Sequence, residues 1–244
     1  MRPLYLLPLL LVVGCNPAPA PTAKDAPATT SGATGTTGGK PAPPEVPAAL
    51  KGSAAHAYYG LDNPKPMPME MTSSNQPGVS KGVVTVTLDK VEGGKATYKV
   101  ERTEDLARLG SNDLTLGPDG LFVTATSEGT MDGPQIELPL DVAPGKAWSV
   151  KSSITQPTGQ VVTSQASLRA VREEDVKTKA GTRRALLVVS EGPASLGDQR
   201  VRMSTRTWYA KGRGAVRMEV TVVPVPPPGG KPLPKSTMLI QETK

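Results

Sequence analysis

Residues 200–223 read RVRMSTRTWYAKGRGAVRMEVTVV, and their alternation decides the fold class. Val201, Met203, Thr205, Thr207 and Tyr209 fall on one side of an extended chain. Val216, Met218, Val220 and Val222 fall on one side of the next. Period two sends successive side chains to opposite faces, which is the signature of a strand. Between the runs, Lys211-Gly212-Arg213-Gly214 supplies glycines for a tight reversal. The stretch reads as an antiparallel hairpin with one apolar face.

The same pattern extends outward in both directions. Candidate strands are Met67–Ser73, Gly82–Leu88, Ala96–Arg102, Asp113–Leu116, Leu121–Ser127 and Gln135–Leu140. Ala147–Thr155, Gln160–Val171, Arg183–Ser190, Arg200–Tyr209, Ala215–Val223 and Ser236–Gln241 follow. Val84, Val86 and Leu88 share a face, as do Trp148, Val150, Ser152 and Ile154. Turn residues separate the runs, as in Glu92-Gly93-Gly94 and Gly117-Pro118-Asp119-Gly120. Only Glu104–Leu109 reads as helical. So many short strands predict an all-β fold: a single curved antiparallel sheet or open barrel, with a β-sandwich as the alternative. Pro224–Pro234 is a loop before the last strand.

Three segments in order resemble a known family. They are Leu138-Pro139-Leu140-Asp141-Val142-Ala143-Pro144-Gly145-Lys146-Ala147-Trp148, residues 176–186 around Ala180-Gly181, and residues 207–217 ending in the Gly212-Arg213-Gly214 hairpin. The set is similar to the uncharacterised bacterial envelope domain called domain-of-unknown-function-3108-like. The resemblance covers residues 138–223. It implies a curved antiparallel half-barrel like that of the LolA/LolB lipoprotein carriers, with no known activity and no catalytic residue to transfer. Tyr58-Tyr59-Gly60 departs from the Tyr-Tyr-Pro start of that family.

The N-terminus is an address. Arg2 precedes an apolar run from Leu4 to Val13, too short for the ~20 residues that span a bilayer. Its length suits the apolar core of a signal peptide. The run ends in Val12-Val13-Gly14-Cys15, which resembles the lipobox of bacterial lipoproteins. The resemblance implies cleavage after residue 14 and acylation of Cys15, the only cysteine, which anchors the chain in a membrane. Asn16 in place of Asp points to the periplasmic side of the outer membrane rather than the inner membrane. Residues 15–52 then form a Pro/Ala/Thr/Gly tether with no apolar periodicity, expected to be disordered. Fully extended, the 37 residues after Cys15 reach about 115 Å. The β domain is expected over residues 53–244.

Composition narrows the chemistry. The 244 residues are 37% hydrophobic but only 3% aromatic, with one Cys and one His. One cysteine excludes an internal disulfide framework, and these two residues alone cannot build a Cys/His zinc site. Few aromatics disfavour sugar binding, and the envelope address disfavours nucleic acid. His56 has no triad or ligand company and is expected at the surface or at an edge. Glu173-Glu174-Asp175 reads as solvated charge at a turn. No catalytic or cofactor-binding motif is present. The chain is therefore read as a non-enzyme without cofactor, and as a monomer.

Two binding surfaces are expected. The net charge is +6, with 7 basic and 13 acidic residues over 55–144 but 14 basic and 6 acidic over 145–220. Within the basic half, Arg200, Arg202 and Arg206 share one strand face, and Arg217 on the next strand, with Arg169 on an earlier one, stands ready to join them. Guanidinium groups bind phosphate and carboxylate bidentately, so this face is a candidate for an envelope protein or an anionic wall polymer. The other candidate is the concave face of the sheet, where Met67, Met69, Met71, Met203 and Met218 offer adaptable packing to a lipid or other amphiphile.

Overall fold

A computed structural model describes residues 45–244; the signal segment, Cys15 and the tether up to residue 44 lie outside the described residues. The described residues form one antiparallel sheet of thirteen strands. They are β1 Met67–Ser73, β2 Gln76–Glu92, β3 Lys95–Arg102, β4 Asn112–Gly117, β5 Gly120–Thr126, β6 Thr130–Met131 and β7 Gln135–Pro139. β8 Ala147–Thr155, β9 Val161–Thr178, β10 Gly181–Leu196, β11 Gln199–Ala210, β12 Gly214–Pro224 and β13 Ser236–Glu242 complete it. All twelve expected strands are present, and the sandwich alternative is excluded because every strand belongs to one hydrogen-bonded sheet. β2, β9 and β10 run several residues beyond their predicted ends. Glu173, Glu174 and Asp175 consequently lie within β9, not at a turn.

The spatial order is β6-β8-β9-β10-β11-β12-β13-β1-β2-β3-β4-β5-β7, so β6 and β7 are the edges and β13 the centre. Connectivity rolls this sheet. Laid flat, thirteen strands spaced ~4.8 Å apart would hold the edges almost 60 Å apart. Yet only Ser127 to Gly129 separate β5, beside one edge, from β6 at the other, and that link spans at most about 14 Å. The edges must therefore meet. Bulges that shift register, such as that between Trp208 and Tyr209, add local twist and bend. At the seam Gln135 Nε2 of β7 donates to Ser152 Oγ of β8 at 2.5 Å. β7 and β8 form no ladder, so the roll stays open as a barrel.

Two short helices precede the sheet: α1 Ala48–Lys51 and α2 Ala54–Tyr59. Leu50 is buried in the core, so the folded region begins before the expected boundary at residue 53. The signals for α2 are Ser53, whose hydroxyl accepts from His56 N, and Gly60, whose φ of 72° closes the helix in the left-handed region. Ala55 N donates to Leu140 O at 3.2 Å just past β7, and Gly212 N donates to Ala57 O at 2.7 Å from the β11–β12 turn. These strands are far apart in the sheet, so α2 lies across one mouth of the roll. A Cβ on Gly60 would sit 2.6 Å from Arg213 N. The expected helix at Glu104–Leu109 is a 3₁₀ helix that turns Leu106 and Leu109 inward.

The charge asymmetry is partly neutralised within the fold. Lys179, at the β9–β10 turn, binds Glu70 of β1 at 2.6 Å. Arg183 of β10 and Arg213 both bind the buried Glu242 of β13, at 2.5 and 2.7 Å.

Candidate functional site

The roll encloses a cavity of about 450 Å³. This falls within the ~300–1,000 Å³ common for small-molecule sites. The alternating faces of the strands build it. Met203, Thr205, Thr207 and Tyr209 of β11 point in, as period two requires, and so do Met218 of β12 and Ile240 of β13. Met67 and Met69 of β1 continue the wall next to β13. The wall around the central strand, opposite the seam, is thus thioether and aliphatic.

The seam side is different. Gln135 and Glu137 of β7, Ser152 of β8, Gln156 just beyond β8 and Glu128 just before β6 all line the cavity there. Arg102 at the end of β3 faces the same space, and its Nη1 donates to Gly110 O at 2.8 Å. Tyr209 Oη donates to Glu137 Oε1 at 2.6 Å, and the Tyr59 ring from α2 stacks at a tilt 6.1 Å from that of Tyr209. The cavity is therefore amphipathic, with a methionine-rich wall facing a polar seam.

Burial sets the protonation chemistry of this seam. Glu137 is turned to the cavity, and desolvation pushes its carboxyl pKa up. The Tyr209 hydrogen bond and the Arg102 charge pull it partly back. Desolvation likewise raises the Tyr209 phenol well above its usual range, with the Glu137 charge adding to it, and raises the Tyr59 phenol. The Arg102 guanidinium is pushed down by the same burial, opposed by Tyr59, Glu128 and Glu137. Two lining atoms have no hydrogen-bond partner among the described residues: Gln156 Oε1 and Thr205 Oγ1, both in side chains less than a tenth exposed. Buried polar atoms are normally satisfied, so these two stand out as unmet hydrogen-bonding groups in the cavity wall.

The basic face is on the other side of the sheet. Arg200, Arg202 and Arg206 are exposed on the outer face of β11. Arg169 of β9 lies in the same row as Arg206, with Val189 of β10 between them. Arg217 is engaged differently. It donates to Glu219 at 2.7 Å and to Lys177 O at 3.0 Å, and lies 5.7 Å over the Trp208 ring. Acids interleave the row: Glu174 accepts from Trp208 Nε1 at 2.8 Å and from Arg172 at 2.7 Å, and Glu219 pairs in register with Arg206.

His56 is not at the surface: it is 1% exposed, inside α2. Its Nε2 lies 3.5 Å from Asp62, and burial lowers its pKa against the pull of that carboxylate. Glu173 of the acidic run accepts from the Tyr58 hydroxyl and pairs with Lys211 at 3.4 Å. Among the described residues no group of three His, Cys, Asp or Glu side chains is placed to hold a metal ion.

No family model matches the chain, so the resemblance over residues 138–223 gains no support there, and no curated protein matches it either. Solved structures do. A protein from Bacteroides fragilis NCTC 9343, described as exported and as having a YmcC-like fold, aligns with TM-score 0.50 and 12% identity over 75% of this chain and 96% of that one. A protein from Parabacteroides distasonis ATCC 8503 described as a lipoprotein aligns with TM-score 0.49 and 12% identity, covering 77% and 98%. The hypothetical lipoprotein YmcC of Escherichia coli K12 aligns with TM-score 0.34 and 9% identity, covering 75% and 89%. At 12% identity the first likeness establishes a shared fold and nothing finer.

Proposed function

We propose that this chain is a non-enzymatic envelope lipoprotein, anchored through acylated Cys15, that holds a lipid or other amphiphile inside its rolled sheet. The amphipathic cavity carries this reading, because a methionine-rich wall facing a polar seam matches a molecule with an apolar chain and a polar end. The lipobox supplies the address, and the description of the Bacteroides fragilis neighbour as exported agrees with it. Asn16 favours the periplasmic side of the outer membrane.

The test is native mass spectrometry of the chain from Asn16 to Lys244, which keeps every described element, purified from its own host without detergent. A bound mass of lipid size that leaves on denaturation supports the reading. A bare chain that also takes up no added lipid at micromolar concentration refutes it. Incorporation of labelled palmitate into the full chain, lost in Cys15→Ser, tests the anchor separately.

A second reading rests on the exposed row of Arg169, Arg200, Arg202 and Arg206. Here the domain docks an envelope protein or an anionic wall polymer. Its mark is a partner whose capture weakens with salt and disappears when Arg200, Arg202 and Arg206 are changed to Glu.

A further inference from the structure

The outer face of β11 changes character along its length. Midway, Arg206 pairs in register with Glu219 of β12. Nearer the start of the strand, Arg202 pairs with Val223 instead, and Val225 N donates to Arg200 O at 2.9 Å. On the other side, Pro193 and Ser195 of β10 stand opposite Arg202 and Arg200. Acids thus give way to apolar and small side chains toward the end of the roll away from α2.

Apolar side chains gather at that end. Six large hydrophobic residues are exposed among the described residues, and four of them lie here. They are Val161 at the start of β9, Val223 and Val225 at the end of β12, and Leu233 in the loop to β13, each more than two-fifths exposed. Gly197 N donates to Val161 O, which sets the start of β9 against the β10–β11 turn. Ser236 pairs with Val222, so the loop over 225–235 leaves and returns at this same end. Apolar residues scattered singly on a surface are ordinary, but a cluster marks an interaction site.

The cluster is set among cations. Arg200, Arg202, Lys231 and Lys235 are exposed and have no ion pair among the described residues. Against these four, β11, the turn before it and the loop after β12 bring one acid to this end, Asp198. An anionic bilayer fits both features. Apolar groups enter the boundary between headgroups and acyl chains, and the cations meet phosphates. A soluble polyanion uses the cations but gives the valines and Leu233 nothing to enter.

We propose that this end of the roll docks on the surface of a bilayer containing anionic phospholipid. The length of the chain allows this in the membrane that the lipobox implies. Residues 16–44 number 29 and at ~3.1 Å each span up to about 90 Å. The 11 residues of β12 at ~3.3 Å each cover about 36 Å. The chain enters the fold beside α2, at the opposite mouth, and is long enough to pass the whole roll. Such docking requires no ligand in the cavity, and it differs from the docking of a protein or polymer on the arginine row in what it binds.

The test uses residues 16–244, which keep every described element and lack the acylated cysteine that inserts into any bilayer. Co-sedimentation is measured with phosphatidylcholine vesicles, with and without about one-third phosphatidylglycerol, at about 0.1 M salt. Binding is expected to be at least tenfold tighter with phosphatidylglycerol and to weaken at about 1 M salt. At roughly fivefold per basic residue, Arg200→Ser with Arg202→Ser binds at least tenfold more weakly. Lys65→Ser with Lys95→Ser makes the same charge change at the α2 end and stays within about twofold of wild type. Val223→Ser with Val225→Ser weakens vesicle binding at least threefold and leaves binding to soluble poly-glutamate unchanged. No binding to either vesicle, or an equal loss in the arginine and lysine pairs, overturns the assignment. Vesicle binding that the valine pair leaves unchanged, with poly-glutamate bound as tightly, assigns the arginines to a soluble polyanion and overturns it as well.

Discussion

Leu168 and Leu186 occupy adjacent strands, and truncating each to Ala measures whether the cavity exists in solution. Leu186 on β10 is fully buried and packs in the apolar cluster with Tyr209. Leu168 on β9 is only half-buried and lines the cavity. Leu→Ala removes three carbons, worth about 2.4 kcal/mol of transfer free energy if all were fully buried. At Leu186 the neighbours are close-packed, so a new void is left and its cost adds, giving about 3–4 kcal/mol. At Leu168 part of the side chain already faces open space. Less surface returns to water and an existing void merely widens, so about 1–2 kcal/mol is expected. The assay is urea unfolding of both variants followed by circular dichroism, with ΔΔG taken from the midpoints at constant slope. Leu186→Ala should cost roughly twice what Leu168→Ala costs. Equal losses of 3 kcal/mol or more would mean that Leu168 is packed on all sides, and the cavity and everything built on it would fall.

Other consequences are open to measurement. Glu137 has a raised pKa when folded, so the folded chain keeps a proton that the unfolded chain releases above the ordinary 4.5. Stability therefore declines as pH rises from there through the folded pKa, and Glu137→Gln should flatten that decline; parallel wild-type and variant curves between pH 4.5 and 7.5 would contradict it. Glu242→Gln should destabilise by about 2–3 kcal/mol, below the ~3–5 for a fully buried pair, because Arg183 and Arg213 are 37% and 20% exposed and partly rehydrate. Chemical unfolding reads this directly, and a loss under 0.5 kcal/mol would mean the clasp between β10 and β13 contributes nothing. Gly60→Ala combines a left-handed φ, at about 1–2 kcal/mol, with a Cβ driven to 2.6 Å from the Arg213 backbone. Gly78→Ala at φ 98° meets nothing within 4 Å and carries the strain alone. Thermal melts should place Gly60→Ala clearly below Gly78→Ala, and the reverse order would detach α2 from the mouth of the roll.

Much of this molecule is set locally and is legible in the chain. Period-two runs such as Val201-Met203-Thr205 and the glycines at 212 and 214 name the strands, their inward residues and their turns, because strand pleat and turn stereochemistry act over a few residues. The lipobox order Val12-Val13-Gly14-Cys15 is local in the same way. Helix α2 was legible in principle from Ser53 and Gly60 at its two ends, but its six residues, Ala54–Tyr59, carry almost no periodicity. The site depends on what is not local. Alternation says that Glu137, Arg102 and Tyr209 each point to one face of a strand, but says nothing of which strands share a space. That follows from the pairing of β1 with β13 and from the three-residue link that draws the two edges together. Only the rolled sheet turns the inner face from a packed core into an amphipathic cavity. Only it buries His56 beneath the surface expected for it and fixes Arg217 against Trp208 and Glu219. Proximity between residues distant in sequence is set by the register of the whole sheet, and charge burial, which decides protonation, follows from that proximity.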